Sequence, residues 1–521
     1  MALKAFSGNF GKSELSHLLR RSLFGVRRSE LEQLSGKSLN EVLDILLAPQ
    51  VQPAPPVNNY YENTPDEQIP AGETWVNATN VSKVNSARIS SLKSWWMGRI
   101  IHRGVSLQEK MALFMHNHFA TETGTVDEAR YLYKHYALLR QYALGNFREL
   151  VRQVTIDPGM LKYLNGYLNG KNAPDENYAR ELQELFVIGK GPNSKYTEED
   201  VRTMARVLTG YRIEPETINS YFDPNNHDIK DKSFSGFYAN TVIRGRSGAD
   251  GEKELDDLLD MLFANPEAAL FICRKLYRFF GYYNITDDVE KDVIAPLAAV
   301  FRESKYEIAP VLRAFLGSEH FYSIETRSCH IKSPVDLCAG LCIEFETAFP
   351  ADADYVAQYA LFGQIRNQAA NMQQNIGSPP DVSGWPAYYQ IPQFHELWIN
   401  SDTLPKRISF VDQMIGGGFG SEDARVKIDP IAYTEQFPEV EDPNKLIDAV
   451  LAHLYVIEVS DEVKTFLKSI LLSNQTDDKY WGQAWRSYKI NPSDMATRNI
   501  VLSHLQSFYR YILDLEEYQL S

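Results

Sequence analysis

Apolar residues return every third or fourth position along most of this 521-residue chain, the spacing of one face of an α-helix. "SELSHLLRRSLFG" has Ser13 as a possible cap and closes on Gly25, while in "SGKSLNEVLDILLA" Ser38 leads into Leu39, Val42, Leu43 and Leu46. Alternating stretches are scarce. The good strand candidates are "YRIEPETINSYFD" and "SFSGFYANTVI", where β-branched and aromatic residues flank turn-rich segments. The expectation is a mainly α protein of roughly twenty helices, each about 11–12 residues long, with one small β-hairpin between about Tyr211 and Ile243.

A chain this long exceeds one compact core, yet no flexible linker divides it. It reads as a single helical unit over 1–521. Within it lie N-terminal helices at 1–50, a helical core at 86–210, a hairpin insertion at 211–243 and a C-terminal helical part at 252–521. The proline-rich run "APQVQPAPPVNNYYENTPDEQIPAGE" has no helical period and is expected to be a long surface excursion.

Hydrophobic residues at 44% and charged residues at 23% suit a soluble globular protein. The net charge of -15 opposes attraction to nucleic acid or anionic lipid. No apolar run reaches the roughly 20 residues of a membrane span, and the N-terminus lacks the apolar core of a secretory signal. The expected compartment is therefore cytoplasmic. Cys273, Cys329, Cys338 and Cys342 show no CxxC spacing and are expected as buried thiols.

A series of ordered blocks carries a family resemblance: "HLLRRSLFG", "EKMALFMHNHFAT", "NYARELQELFVIGKG", "YTEEDVRTMARVLTGYRI", "NNHDIKDKSFSG", "RKLYRFFG", "IKSPVDL", "PPDVSGWP" and the terminal "EYQL". Together they resemble the bacterial family called domain of unknown function 1800, over nearly the whole chain. The resemblance implies a large helical fold without an assigned activity. It also implies frequent export, from which this N-terminus departs, and a partner from the family called domain of unknown function 1501, whose members look like phosphatases and sulfatases. Met115 stands where members of the family usually carry a tryptophan, with both following histidines intact.

Those histidines, His116 and His118, are the first chemical signal. On one regular helix they lie about 200° apart and cannot both face one ion. Either the helix ends near Asn117 and both rings bind, or the two have different roles. Glu109 shares a face with His116, but with Ser106 it also spells an S-x-x-E capping box.

In "PDENYARELQELFVIGKG" the helical period gathers Asn177, Glu181 and Glu184 on one side, with Arg180 beside them. This is either a solvated face with an Arg180–Glu184 pair or a set of inward carboxylates of the kind that hold metals in helix bundles. The loop "FDPNNHDIKDKSFSG" adds His227 and Asp228; it lacks the glycine and glutamate of a calcium-binding EF-hand, and reads as an Asx-rich turn or as a contributor to the same cavity. In "SPPDVSGWP", prolines stiffen a loop and place Trp385 on the surface or in a cleft wall.

No nucleophile elbow, phosphate loop, H-E-x-x-H helix or dinucleotide fingerprint occurs. Two function classes follow. One is a metal-dependent enzyme, with a divalent ion held among His116, His118, Glu181, Glu184 and His227 and with Asp228 beside them as a further candidate for the chemistry. The other is a noncatalytic binding or assembly protein that uses buried polar networks for packing.

Overall fold

The computed structural model describes residues 3–521, and 58% of the chain is helical. Helix starts follow local chemistry. Ser38 caps Leu39–Leu47 and Glu41 answers it, completing a capping box; Thr197 and Asp200 do the same for Glu198–Val207. The first long helix, Lys12–Ser22, begins before Ser13, and Glu14 reaches back to the Gly11 amide at 3.1 Å in its place.

Both strand candidates form strands, but each stretch folds back on itself instead of pairing with the other. Tyr211–Glu214 pairs antiparallel with Asn219–Phe222, and Lys232–Ser233 with Val242–Ile243. Each carries its own turn, and closing that short loop costs less entropy than pairing with the more distant stretch. A third two-residue ladder, Phe419–Gly420 with Arg425–Val426, has too little alternation to be read from sequence.

The proline-rich excursion is packed rather than loose. Trp75 is fully buried, and the Asp66 carboxylate, 1% exposed, takes the Arg88 guanidinium at 2.7 Å and the Tyr60 hydroxyl at 3.0 Å. A charge placed there needs such partners, and those contacts pin the loop to helix Ser82–Ile101.

Two hydrophobic cores organise the molecule. The first takes its side chains from the N-terminal helices, from the segments near 139–211 and from 255–322. The second draws on helix Ser82–Ile101 and on residues 335–518. The stretch 252–521 thus supplies both. Helix Gln108–His118 runs between the cores: Met111, Phe114 and Met115 enter the first and Leu113 the second. All eleven of its residues are buried, and its polar side chains are partnered from both sides, Glu109 by Arg140 and Lys110 by Asp336.

Candidate functional site

The helix between the cores ends at His118, with both histidines still inside it. Their side chains accordingly leave on opposite faces. His116 points into the second core, its ring edge-on to Trp96 at 5.0 Å and to Trp385 at 5.7 Å. Its Nε2 finds no hydrogen-bond partner. Burial, reinforced by His135 and Lys93, pushes its pKa well down and holds the ring neutral.

Between the two histidines, Asn117 ties the helix to the "SGWP" loop: its side-chain oxygen accepts the Trp385 amide at 2.8 Å. Gly384 has φ of +92°, and a Cβ there would sit 2.3 Å from that same oxygen, so only glycine fits. Trp385 is consequently 1% exposed, a wall of the His116 chamber and not a surface group. Glu109 does not cap the helix either. It takes Arg140 at 2.7 Å and the Tyr136 hydroxyl at 3.0 Å, because a carboxylate at 5% exposure binds a full cation in preference to a helix amide.

His118 faces the first core and a cleft at the junction of the two. Its Nε2 lies 2.9 Å from the Phe186 carbonyl, which can only accept, so the proton resides on Nε2 and Nδ1 carries the lone pair. Into that lone pair the Lys275 amine donates at 3.0 Å, and it also reaches the Leu185 carbonyl at 3.3 Å. Both carbonyls belong to the π-helical turn Leu182–Val187 that ends the helix beginning at Asn177, where backbone acceptors are left without helical partners. The negative end of that helix therefore serves His118 and Lys275.

The cleft is strongly cationic. Arg21, Lys275 and Arg278 line it, and none of the three has an Asp or Glu carboxylate in ion-pair range among the described residues. Arg20 and Lys110 are also in the wall but are matched by Glu344 and Asp336. Arg21 spends its donors on the backbone oxygens of Phe280 and Gly281 and on the terminal oxygen and hydroxyl of Ser521, and Arg278 lies over the Phe394 ring at 5.2 Å with its terminal nitrogens uncommitted. Lys275 is partly open to the cleft while its amine is enclosed; burial, then the Arg278 charge, push it down to about 7. His330 and His395 stack at 4.8 Å on another wall, with Nε2 of each unpartnered. Burial holds both below the usual histidine range, His395 at about 4.

The sequence-derived candidates do not form one group. Glu184 is taken by Lys190 and, at 3.6 Å, by Arg180. Glu181 is half-buried beside it, its pKa raised by burial and by the neighbouring Glu184 charge. Their helix does meet His118, but through backbone carbonyls, with the carboxylates on its other flank. His227 belongs to the hairpin region: Nδ1 lies 2.9 Å from the Thr209 carbonyl and Nε2 3.2 Å from Glu254, whose other oxygen holds the buried Lys232 amine. Asp228 pairs with Arg206 at 2.8 Å. Among the described residues no three His, Cys, Asp or Glu side chains are arranged to hold a metal ion. A divalent ion across His116, His118, Glu181, Glu184 and His227 does not fit this donor set. His116 and His118 diverge, and His118 has both nitrogens engaged.

Sequence reasoning passed over Lys275, Arg278, Arg21, His330 and His395. A signal was present in helix Pro266–Phe280, which carries Arg274, Lys275 and Arg278 against one acid, Glu267. Arg274 consumes Glu267 and Glu290 from beyond the helix, leaving the other two unmatched.

The fold and the cleft define a mainly helical two-core protein with a buried cationic pocket at the core junction. It belongs to the family described as "Protein of unknown function (DUF1800)", whose model matches residues 17–520. No curated protein and no solved structure matches the chain. No helix among the described residues is long and apolar enough to cross a membrane.

Proposed function

We propose that the cleft binds a small anion, or the anionic group of a larger substrate, and that Lys275 and His118 handle a proton there. One observation carries this reading: three cationic side chains, Arg21, Lys275 and Arg278, share a partly enclosed cavity without an Asp or Glu partner, and Lys275 and Arg278 keep donors free. Desolvated like charges repel, and an entering anion relieves that cost. In the ammonium form, Lys275 commits two hydrogens to His118 and Leu185 and keeps the third for a ligand. This reading takes the place of a metal-dependent one, because the cations occupy the side of His118 that a metal would need.

Sulfate is a suitable probe, since its charge is constant near neutrality. Its binding favours charged Lys275. Affinity is therefore full below pH 7, where the amine is protonated, and falls about ten-fold per unit as pH rises through about 7. Calorimetry across pH 6–9 on the native chain, with Lys275→Met and Arg278→Met, measures this. Sulfate binding that ignores pH and both substitutions would place the anion elsewhere. A noncatalytic receptor is the second reading, and it uses the same cleft without the proton step.

A further inference from the structure

Lys275 differs from the other lysine of the cleft wall in what surrounds its nitrogen. Lys110 is held by the Asp336 carboxylate, an ion pair that fixes it as an ammonium group. Lys275 meets only neutral acceptors, the His118 lone pair and the Leu185 carbonyl. A neutral amine has two hydrogens, and these two acceptors take both. Its lone pair is then the one tetrahedral position that the protein leaves unfilled. The face of Phe271 at 4.9 Å stabilises the ammonium form, but it cannot accept a proton.

The rest of the cleft suits a partner for such an amine. The terminal nitrogens of Arg278 are uncommitted and can take a carboxylate, while Arg21, its donors spent on the protein, adds only its charge. The free space is about 60 Å³, above the roughly 10–15 Å³ that admits one water, so it suits a small group.

We infer that Lys275 is a nucleophilic amine that forms an imine with the carbonyl of a short 2-oxo or aldehydic carboxylic acid, the carboxylate being held by Arg278. This rests on the anion-binding reading of the cleft. Nζ attacks the carbonyl carbon and the C–N bond forms as the C=O π pair moves to oxygen. The two protons of Nζ pass in turn, by way of His118 Nδ1 3.0 Å away, to that oxygen: the first gives the carbinolamine hydroxyl and the second lets it leave as water while the nitrogen pair closes the C=N bond. Amine and carbonyl give imine and water, and no oxidant or reductant is consumed. Burial together with the Arg278 charge, which hold the amine near neutrality, keeps it in the reactive form at physiological pH.

The test is reductive trapping. The full chain is treated with glyoxylate or pyruvate and cyanoborohydride, and the adducts are mapped by peptide mass spectrometry with and without sulfate. Lys275 should be modified more than about ten-fold faster than any other lysine, because an ordinary lysine is almost wholly protonated at pH 7. Sulfate should protect it in the unaltered protein, which makes the result independent of whether a variant folds. Lys275→Gln, checked by its circular dichroism, should lose the fast site. If sulfate binds in a Lys275-dependent way and lysines are nevertheless modified only according to exposure, the imine is overturned and the anion site stands. If sulfate neither binds nor protects, both fall.

Discussion

His116 and His118 leave the same helix two residues apart, and they meet opposite worlds. His116 ends in a closed aromatic chamber with an unsatisfied nitrogen; His118 has both nitrogens bonded, one to a helix-end carbonyl and one to a lysine in a cationic cleft. Burial lowers the pKa of both well below the usual range. A depressed histidine pKa therefore does not distinguish a packing group from a working one. The distinction lies in the neighbours of each ring nitrogen and in whether a cavity reaches them.

What the two share gives the largest expected effect. His17, His116, His118, His330 and His453 all have folded pKa values pushed down by burial, His17 and His453 to about 3. The unfolded chain takes up protons below pH 6.5 that the folded chain refuses, so stability is complete above 6.5 and is lost as pH falls. Each group contributes about 1.4 kcal/mol per pH unit, and five together about 7. That rivals a typical total stability of about 5–15 kcal/mol. Melting temperature should therefore collapse between pH 6 and 4.5, where most carboxylates are still ionised. A flat profile from pH 7 to 5 would show that these rings are hydrated.

The clamp that separates the two histidines comes next. Gly384→Ala adds a Cβ 2.3 Å from Asn117 Oδ1 at a φ that alanine avoids. The expected cost is about 3–4 kcal/mol from overlap and backbone strain together. Urea denaturation measures it. A loss under 1 kcal/mol would mean that the loop yields and that Trp385 is not fixed against His116.

The sequence made the helices legible because their apolar spacing is local. Ser38 with Glu41 and Leu39 with Val42 announce a helix without any knowledge of the rest of the chain. It also made the divergence of His116 and His118 legible, since 200° is a property of one helix. The cleft was not legible, for the opposite reason. Lys275 matters because its two acceptors, the His118 ring 157 positions earlier and the Leu185 carbonyl 90 positions earlier, are neutral, and because Arg274, its neighbour, draws the available acids away. Whether a charge is matched is decided by distant partners. Glu184 illustrates the same rule in reverse: an acidic face that could have turned inward is satisfied by Lys190, six residues on.

The smallest effects give the sharpest test. His118→Ala removes two buried hydrogen bonds, strands the Phe186 carbonyl and opens a void, for a cost of about 2–3 kcal/mol. It should also weaken sulfate binding by freeing Lys275. His116→Phe is the counterpart. It replaces an unpartnered buried nitrogen with a ring that keeps the edge contacts to Trp96 and Trp385. The relief of a stranded polar atom opposes a slight overpacking, so stability at pH 8 should change by less than about 1 kcal/mol in either direction. Sulfate affinity should not move. The acid limb of the stability profile should become shallower by about 1.4 kcal/mol per pH unit, because one group that the folded state keeps neutral has gone. A loss of sulfate binding in His116→Phe would connect the aromatic chamber to the cleft and end the contrast between the two faces of this helix.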